Sequence, residues 1–250
     1  MFVLPVNRDK APEETPWVTS TLIVLNSAIW VVLAISSQND RIVQEFGLHP
    51  VHWTLTTAFT HMFLHANFWH VAGNMWFLWM FAPKVEERLG RTLFLVSYLI
   101  CGFVAAGLHT LFALGSTIPL VGASGAISGV AGMYFVFFPR SPFTLEFYLG
   151  WWRVKSFNAQ TRGAVGTWIG EQFVLGLIAS TFASAGIAFW AHVGGFACGL
   201  LISAIVAIGA TAEEKEAILH PKSLSQEEKE EIFADRVEQP SELTTLKLGD

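Results

Sequence analysis

Residues 187–208 read IAFWAHVGGFACGLLISAIVAI. No Asp, Glu, Lys or Arg occurs from Thr181 to Thr211, and about 20 apolar residues suffice for a helix to cross roughly 30 Å of hydrocarbon. Inside this run stand a histidine, His192, and two glycines four apart, Gly195 and Gly199. Five further stretches read as spans: 17–36, 67–83, 93–114, 119–138 and 167–185. The run from Leu93 to Thr117 is also free of charge, whereas 67–83 and 167–185 are short and carry polar residues. The expected fold class is therefore all-α, an integral membrane protein built as a bundle of six transmembrane helices over residues 17–210. A short cytoplasmic segment, 1–16, precedes the bundle, and an acidic cytoplasmic tail, 211–250, follows it.

Composition agrees with a bilayer as the solvent. Of 250 residues, 52% are hydrophobic and 14% charged, against roughly 25% charged in soluble proteins. From Trp17 to Phe138 the only acidic residues are Asp40, Glu45, Glu86 and Glu87, while residues 211–250 hold eleven acidic and five basic ones. The formal charge of −5 belongs to the tail. No basic cluster marks a nucleic-acid footprint. Cys101 and Cys198 fall in separate apolar runs and read as packing residues, not as a disulfide. Residues 1–16 contain three acidic and two basic residues and three prolines; with no signal-peptide or transit pattern, the first apolar run is expected to stay in the mature chain.

Basic residues orient the bundle. With six spans, the amino end, the 84–92 and 139–166 loops and the tail lie on one side and carry 2, 3, 4 and 5 Lys/Arg. The other side has Arg41 alone, in the long loop 37–66. The positive-inside rule then makes both termini cytoplasmic and even-numbered spans run inward; the expected location is the plasma or inner membrane. The half-loop from Trp53 to His65 is nearly uncharged and rich in aromatic and Thr residues, so 37–66 is expected to lie in the interface or lean on the bundle. In the tail, Ser225 and Glu228 form a capping-box pattern that opens a short helix near 226–236. Glu171 and Gln172, near the inner start of the fifth span, are expected to snorkel toward headgroups.

Polar groups at membrane depth are costly and line cavities or pair with one another. Three clusters begin inward-running spans: His61 to Asn74, Gly122-Ala123-Ser124-Gly125, and Ala191-His192-Val193-Gly194-Gly195. Gly125 and Gly129 repeat the four-residue spacing of Gly195 and Gly199. Small-xxx-small faces let two helices approach closely, which would bring the Ser124 hydroxyl to the His192 imidazole as nucleophile activation requires. Taken singly, a membrane serine more often bonds a carbonyl of its own helix. His70 and Asn74 share one helical face, can both donate, and are candidates to stabilise an oxyanion beside the Ser124 N–H. His61 and His65 have the spacing of two metal ligands, but Met62 stands where a zinc-protease glutamate would, and no metal is expected.

At these residues the sequence resembles the rhomboid family of intramembrane serine proteases. The resemblance rests on the His-x-x-x-His-x-x-x-x-His-x-x-x-Asn run at 61–74, Gly-x-Ser-Gly at 122–125, Ala-His-x-x-Gly at 191–195 and Val85-Glu86-Glu87-Arg88-Leu89-Gly90. It implies a rhomboid-like bundle of six transmembrane helices around a water-filled cavity. It also implies a dyad with Ser124 as nucleophile and His192 as general base, and His70 and Asn74 as oxyanion donors. No cofactor is implied. The partners implied are the lipid bilayer and single-pass transmembrane protein substrates cut near the outer face. Two positions depart from the family pattern: Trp53 is not followed by Arg, and Ser128 stands where some members place an aromatic that stacks on the histidine. The competing reading is a catalytically silent relative that binds client transmembrane segments; such relatives usually lack the serine or the histidine.

Overall fold

The computed structural model of the protein describes residues 2–7, 11–149, 152–181 and 188–209. It is mostly helical. In chain order the elements are β1 (Phe2–Asn7), α1 (Trp17–Ile35), α2 (Asn39–Phe46), α3 (Leu55–Thr60), a 3-10 turn at His61–Phe63, α4 (Phe68–Leu89), α5 (Arg91–Phe112), α6 (Ser124–Phe137), β2 (Pro142–Leu149), β3 (Trp152–Gln160), α7 (Thr161–Thr181) and α8 (Phe189–Gly209). Among the described residues, α1, α4, α5, α6, α7 and α8 overlap the six expected stretches. By length and apolar composition, α1, α5 and α8 qualify as membrane-crossing, and α6 is a shorter apolar helix. These features make the chain a membrane protein. Apolar side chains exposed along α1 (Val24, Val32), α5 (Val96, Ile100) and α8 (Leu201, Ile205) suit a lipid surround. The expected tail helix at 226–236 lies outside the described residues.

Helix α6 is the axis of the molecule. Residues from Gly125 to Tyr134 are buried without a break, because α4, α5 and α8 all pack on it. Glycine makes the α6/α8 seam possible: a Cβ at Gly195 would land on the Gly125 carbonyl oxygen, and one at Gly199 on the Gly129 carbonyl oxygen. Cys101 of α5 fills the space that a Gly129 side chain would take. Both cysteines are free and buried, as packing residues should be.

Helix α4 runs beyond its expected end at 83 and reaches Leu89, where Gly90 at φ +74° closes it. The extra turn tolerates Glu86 because that carboxylate is sequestered rather than placed in lipid. It accepts the Val18 N–H at 2.9 Å, the Thr19 N–H at 2.8 Å and the Thr19 hydroxyl at 2.7 Å. Free amides and the positive dipole end of α1 thereby receive an anion.

The 37–66 loop leans on the bundle. Leu48 pairs antiparallel with Leu120, with N–H to oxygen distances of 3.0 and 2.8 Å. The buried Met62 sets its sulfur against Gly102 of α5. Thr54 and Thr57 form a reciprocal capping box at the start of α3.

The fold is not purely α-helical, which corrects the expectation. A three-stranded antiparallel sheet of order β1-β2-β3 occupies the amino end and much of the 139–166 segment, with Pro5 opposite Leu145 and Leu145 opposite Phe157. The segment Phe143 to Tyr148 is rich in aromatic and β-branched residues, which suits a pleated half-buried surface. Its charges are used across the sheet: Arg153 approaches Glu146 at 3.5 Å, and the Tyr148 hydroxyl donates to Glu146 at 2.7 Å. Helix α7 consequently starts at Thr161, six residues ahead of the expected 167.

Candidate active site

Leu120 to Ala123 bring the chain to α6 through a sharp turn. Gly122 holds φ +118°, a conformation open to glycine and costly for other residues. A Cβ there would also sit 2.7 Å from His70 Nε2, so the missing side chain makes room for that imidazole. The Gly122 N–H donates to the His61 carbonyl at 2.8 Å and ties the turn to the 3-10 segment. Ser124 then opens α6. The first bond of the helix runs from the Ile127 N–H to the Ala123 carbonyl, which leaves the amides of the first turn without intrahelical acceptors.

The Ser124 hydroxyl lies 2.9 Å from His192 Nε2. Residues far apart in the chain thus meet where the glycine seam brings α6 and α8 together. Asn67 caps α4 by accepting the His70 N–H at 3.0 Å. One turn further, Asn74 donates one amide hydrogen to the His70 carbonyl at 2.8 Å and is buried. Asn74 and His70 line a cavity of about 840 Å³ together with Ser124, His192 and Trp168. The structure therefore brings all four sequence-derived candidates, Ser124, His192, His70 and Asn74, to one cavity.

Two residues were not expected there. Gln172 of α7 is 8% exposed and sets its Oε1 2.7 Å from His192 Nδ1. Trp168, four residues earlier on the same face, holds its ring centroid 5.9 Å from that of His192 at a tilt of 35°. The snorkelling expectation for Gln172 is thus corrected, while Glu171, beside it, is exposed and lines the cavity. The sequence held a signal, a glutamine inside an apolar run, but an α7 expected to start at 167 placed it too near the helix end. Ser128, at the position where an aromatic was missing, donates to the Ser124 carbonyl at 2.7 Å.

Outside the spans, His61 and His65 are buried in the loop, at 3% and 1% exposure. Burial, aided by neighbouring His109, pushes the His61 pKa down to about 4. Burial, aided by neighbouring His70, pushes that of His65 down to about 3. Among the described residues no group of three or more His, Cys, Asp or Glu is arranged to hold a metal ion. Both values lie below the ordinary 6.5, so the unfolded chain binds more protons in that window, and stability falls as pH drops from about 6.5 toward the folded values. The unfolding midpoint is expected to fall over this acid range, and less steeply in His61→Asn. Equal slopes in thermal melts against pH would contradict this.

A family profile described as a rhomboid domain matches residues 52–208. The protein YdcA of Bacillus subtilis (strain 168), which bears a rhomboid-protease name, is 29% identical over 126 residues, 47% of this chain and 60% of that protein. Rhomboid-like protein 11, chloroplastic, of Arabidopsis thaliana is 41% identical over 71 residues, 28% of this chain and 25% of that one. Rhomboid protein 1, mitochondrial, of Saccharomyces cerevisiae (strain ATCC 204508 / S288c) is 34% identical over 88 residues, 33% and 25% of the two chains. The matches thus span 60% of the first of these relatives and a quarter of the other two. The profile match covers more than half of the 250 residues, and the chain belongs to the rhomboid family.

Proposed function

We propose that the protein is an intramembrane serine endopeptidase that cuts single-pass transmembrane substrates near the outer membrane face. The observation that carries this reading is the 2.9 Å approach of the Ser124 hydroxyl to His192 Nε2 at the wall of a cavity. A serine hydroxyl is a weak nucleophile until an adjacent base takes its proton. In the proposed reaction Ser124 Oγ attacks the scissile carbonyl carbon while His192 Nε2 accepts the proton. The oxyanion receives hydrogen bonds from the Ser124 N–H, the Asn74 side-chain amide and the His70 ring. Collapse breaks the C–N bond, and His192 returns the proton to the leaving amine. Water in the cavity then hydrolyses the acyl-enzyme, with His192 again as base. No cofactor enters this sequence.

The reading places α1, α4, α5, α6, α7 and α8 across the plasma or inner membrane as six spans, with both termini in the cytoplasm. The distribution of basic residues, with only Arg41 on the outer side, supports this orientation. It makes 17–210 the protease domain, with 37–66 as its outer loop.

Reconstitution in liposomes with single-pass transmembrane reporters tests the activity. The expected result is two fragments whose new termini map inside the reporter's membrane segment. Reporters that stay intact while bound to the folded protein would favour the silent, client-binding reading instead. For the oxyanion role, Asn74→Ala is expected to lower kcat by roughly 10²- to 10³-fold with little change in KM. A change confined to KM would contradict that role.

A further inference from the structure

We infer that Gln172 is a positioning residue for the base: its amide oxygen holds His192 in the tautomer that carries hydrogen on Nδ1, leaving the Nε2 lone pair to face Ser124. This rests on the protease reading and adds a third member to its dyad. The two ring nitrogens of His192 face different partners, Gln172 Oε1 at 2.7 Å and Ser124 Oγ at 2.9 Å. An amide oxygen only accepts, so an imidazole bonded to it through Nδ1 must donate there. The neutral ring then has its one acceptor site at Nε2, where the serine proton must go.

The placement is buried and close-packed. Gln172 is buried, and Trp168, one turn before it on α7, lies against the same imidazole. The ring is therefore held on one side by an aromatic surface and at its far nitrogen by an acceptor. A neutral amide performs this task without bringing a second charge into the site, where a buried carboxylate would carry a desolvation cost. The brace comes from α7, so it replaces the aromatic that Ser128 does not provide on α6.

The other titratable groups facing His192 are His70 of α4 and His109 of α5, with Glu171 of α7 on the same cavity. None is altered in the variants below, so a change in pH dependence between them reports on position 172. Reporter cleavage in liposomes is measured against pH for the wild type, Gln172→Leu and Gln172→Glu. Loss of an outer hydrogen-bond partner that orients a working histidine costs about 10- to 100-fold, so Gln172→Leu is expected to lower kcat by roughly that factor with KM little changed. Gln172→Glu, which can only accept, is expected to restore most of kcat and to move the acid limb of the pH profile to higher pH, because a carboxylate favours the charged imidazole. The ¹⁵N spectrum of histidine-labelled protein gives a readout that needs no turnover: His192 carries its hydrogen on Nδ1 in the wild type and becomes a mixture of tautomers in Gln172→Leu.

Unchanged kcat in Gln172→Leu, or an acid limb that does not move in Gln172→Glu, would overturn the inference. So would a wild-type spectrum with hydrogen on Nε2. A folded wild type that cleaves nothing while the spectrum shows the Nδ1–H tautomer would instead overturn the protease reading and leave the brace in place.

Discussion

Ser124→Ala is expected to bring reporter cleavage down to background, a loss of at least about 10⁴-fold in kcat. His192→Ala is expected to do the same, and the double variant no worse than either single one. Non-additivity follows from the geometry. The hydroxyl and imidazole act as one unit across 2.9 Å, and once the proton acceptor is gone the serine is an ordinary alcohol, so removing it as well takes away nothing further. The residual rate would come from oxyanion donors and substrate positioning. Ser124→Ala should melt like the wild type to within about 1 kcal/mol, because it deletes one hydrogen bond and leaves the glycine seam intact. His192→Ala also leaves the seam intact but removes the partner of the buried Gln172, so it should stay folded with a lower melting point. Steady-state cleavage together with thermal melts checks this. An additive double variant, or a single variant with appreciable turnover, would show that the two residues do not work as a pair.

Gly199→Leu is expected to lose both the fold and the activity. A Cβ at Gly199 would land on the Gly129 carbonyl oxygen, and backbone, unlike a flexible side chain, has no free rotamer in which to retreat. Extra methylenes in a packed core cost about 1–3 kcal/mol when side chains can adjust; with a helix backbone as the obstacle the upper end of that range is the minimum expected. The helices would have to move apart along the seam that sets the distance from Ser124 to His192. A displacement of about 1 Å at reacting atoms is enough to cost on the order of 10²-fold. Gly107→Leu on α5 is the control, since a Cβ there meets nothing within 4 Å, and it should melt and cleave like the wild type. Equal melting of the Gly199 and Gly107 variants would contradict the close approach of α6 and α8.

The sequence alone makes legible those features that short-range chemistry writes into it. Gly125, Gly129, Gly195 and Gly199 are spaced for one helix face each, and the seam they form is found between α6 and α8. His70 and Asn74 are one turn apart and share the cavity wall. The Gln172 brace was hidden because it depends on where α7 begins. From Thr161 to Gln172 is 11 residues, or about 16 Å of helix at 1.5 Å per residue, enough to lift the amide from the helix end to the level of His192. The sheet was hidden for a related reason. Glu146, Arg153 and Lys155 mark the segment as polar, while its pairing with Phe2–Asn7 joins residues too distant in the chain for a local pattern to reveal.

Trapping with a fluorophosphonate tests the central contact most directly, because only an activated serine attacks phosphorus at a useful rate. Peptide mapping of the folded wild-type protein is expected to find one adduct, on Ser124, and His192→Ala is expected to abolish it. A folded wild type that takes no adduct on Ser124, or an adduct that forms equally fast without His192, would contradict the account.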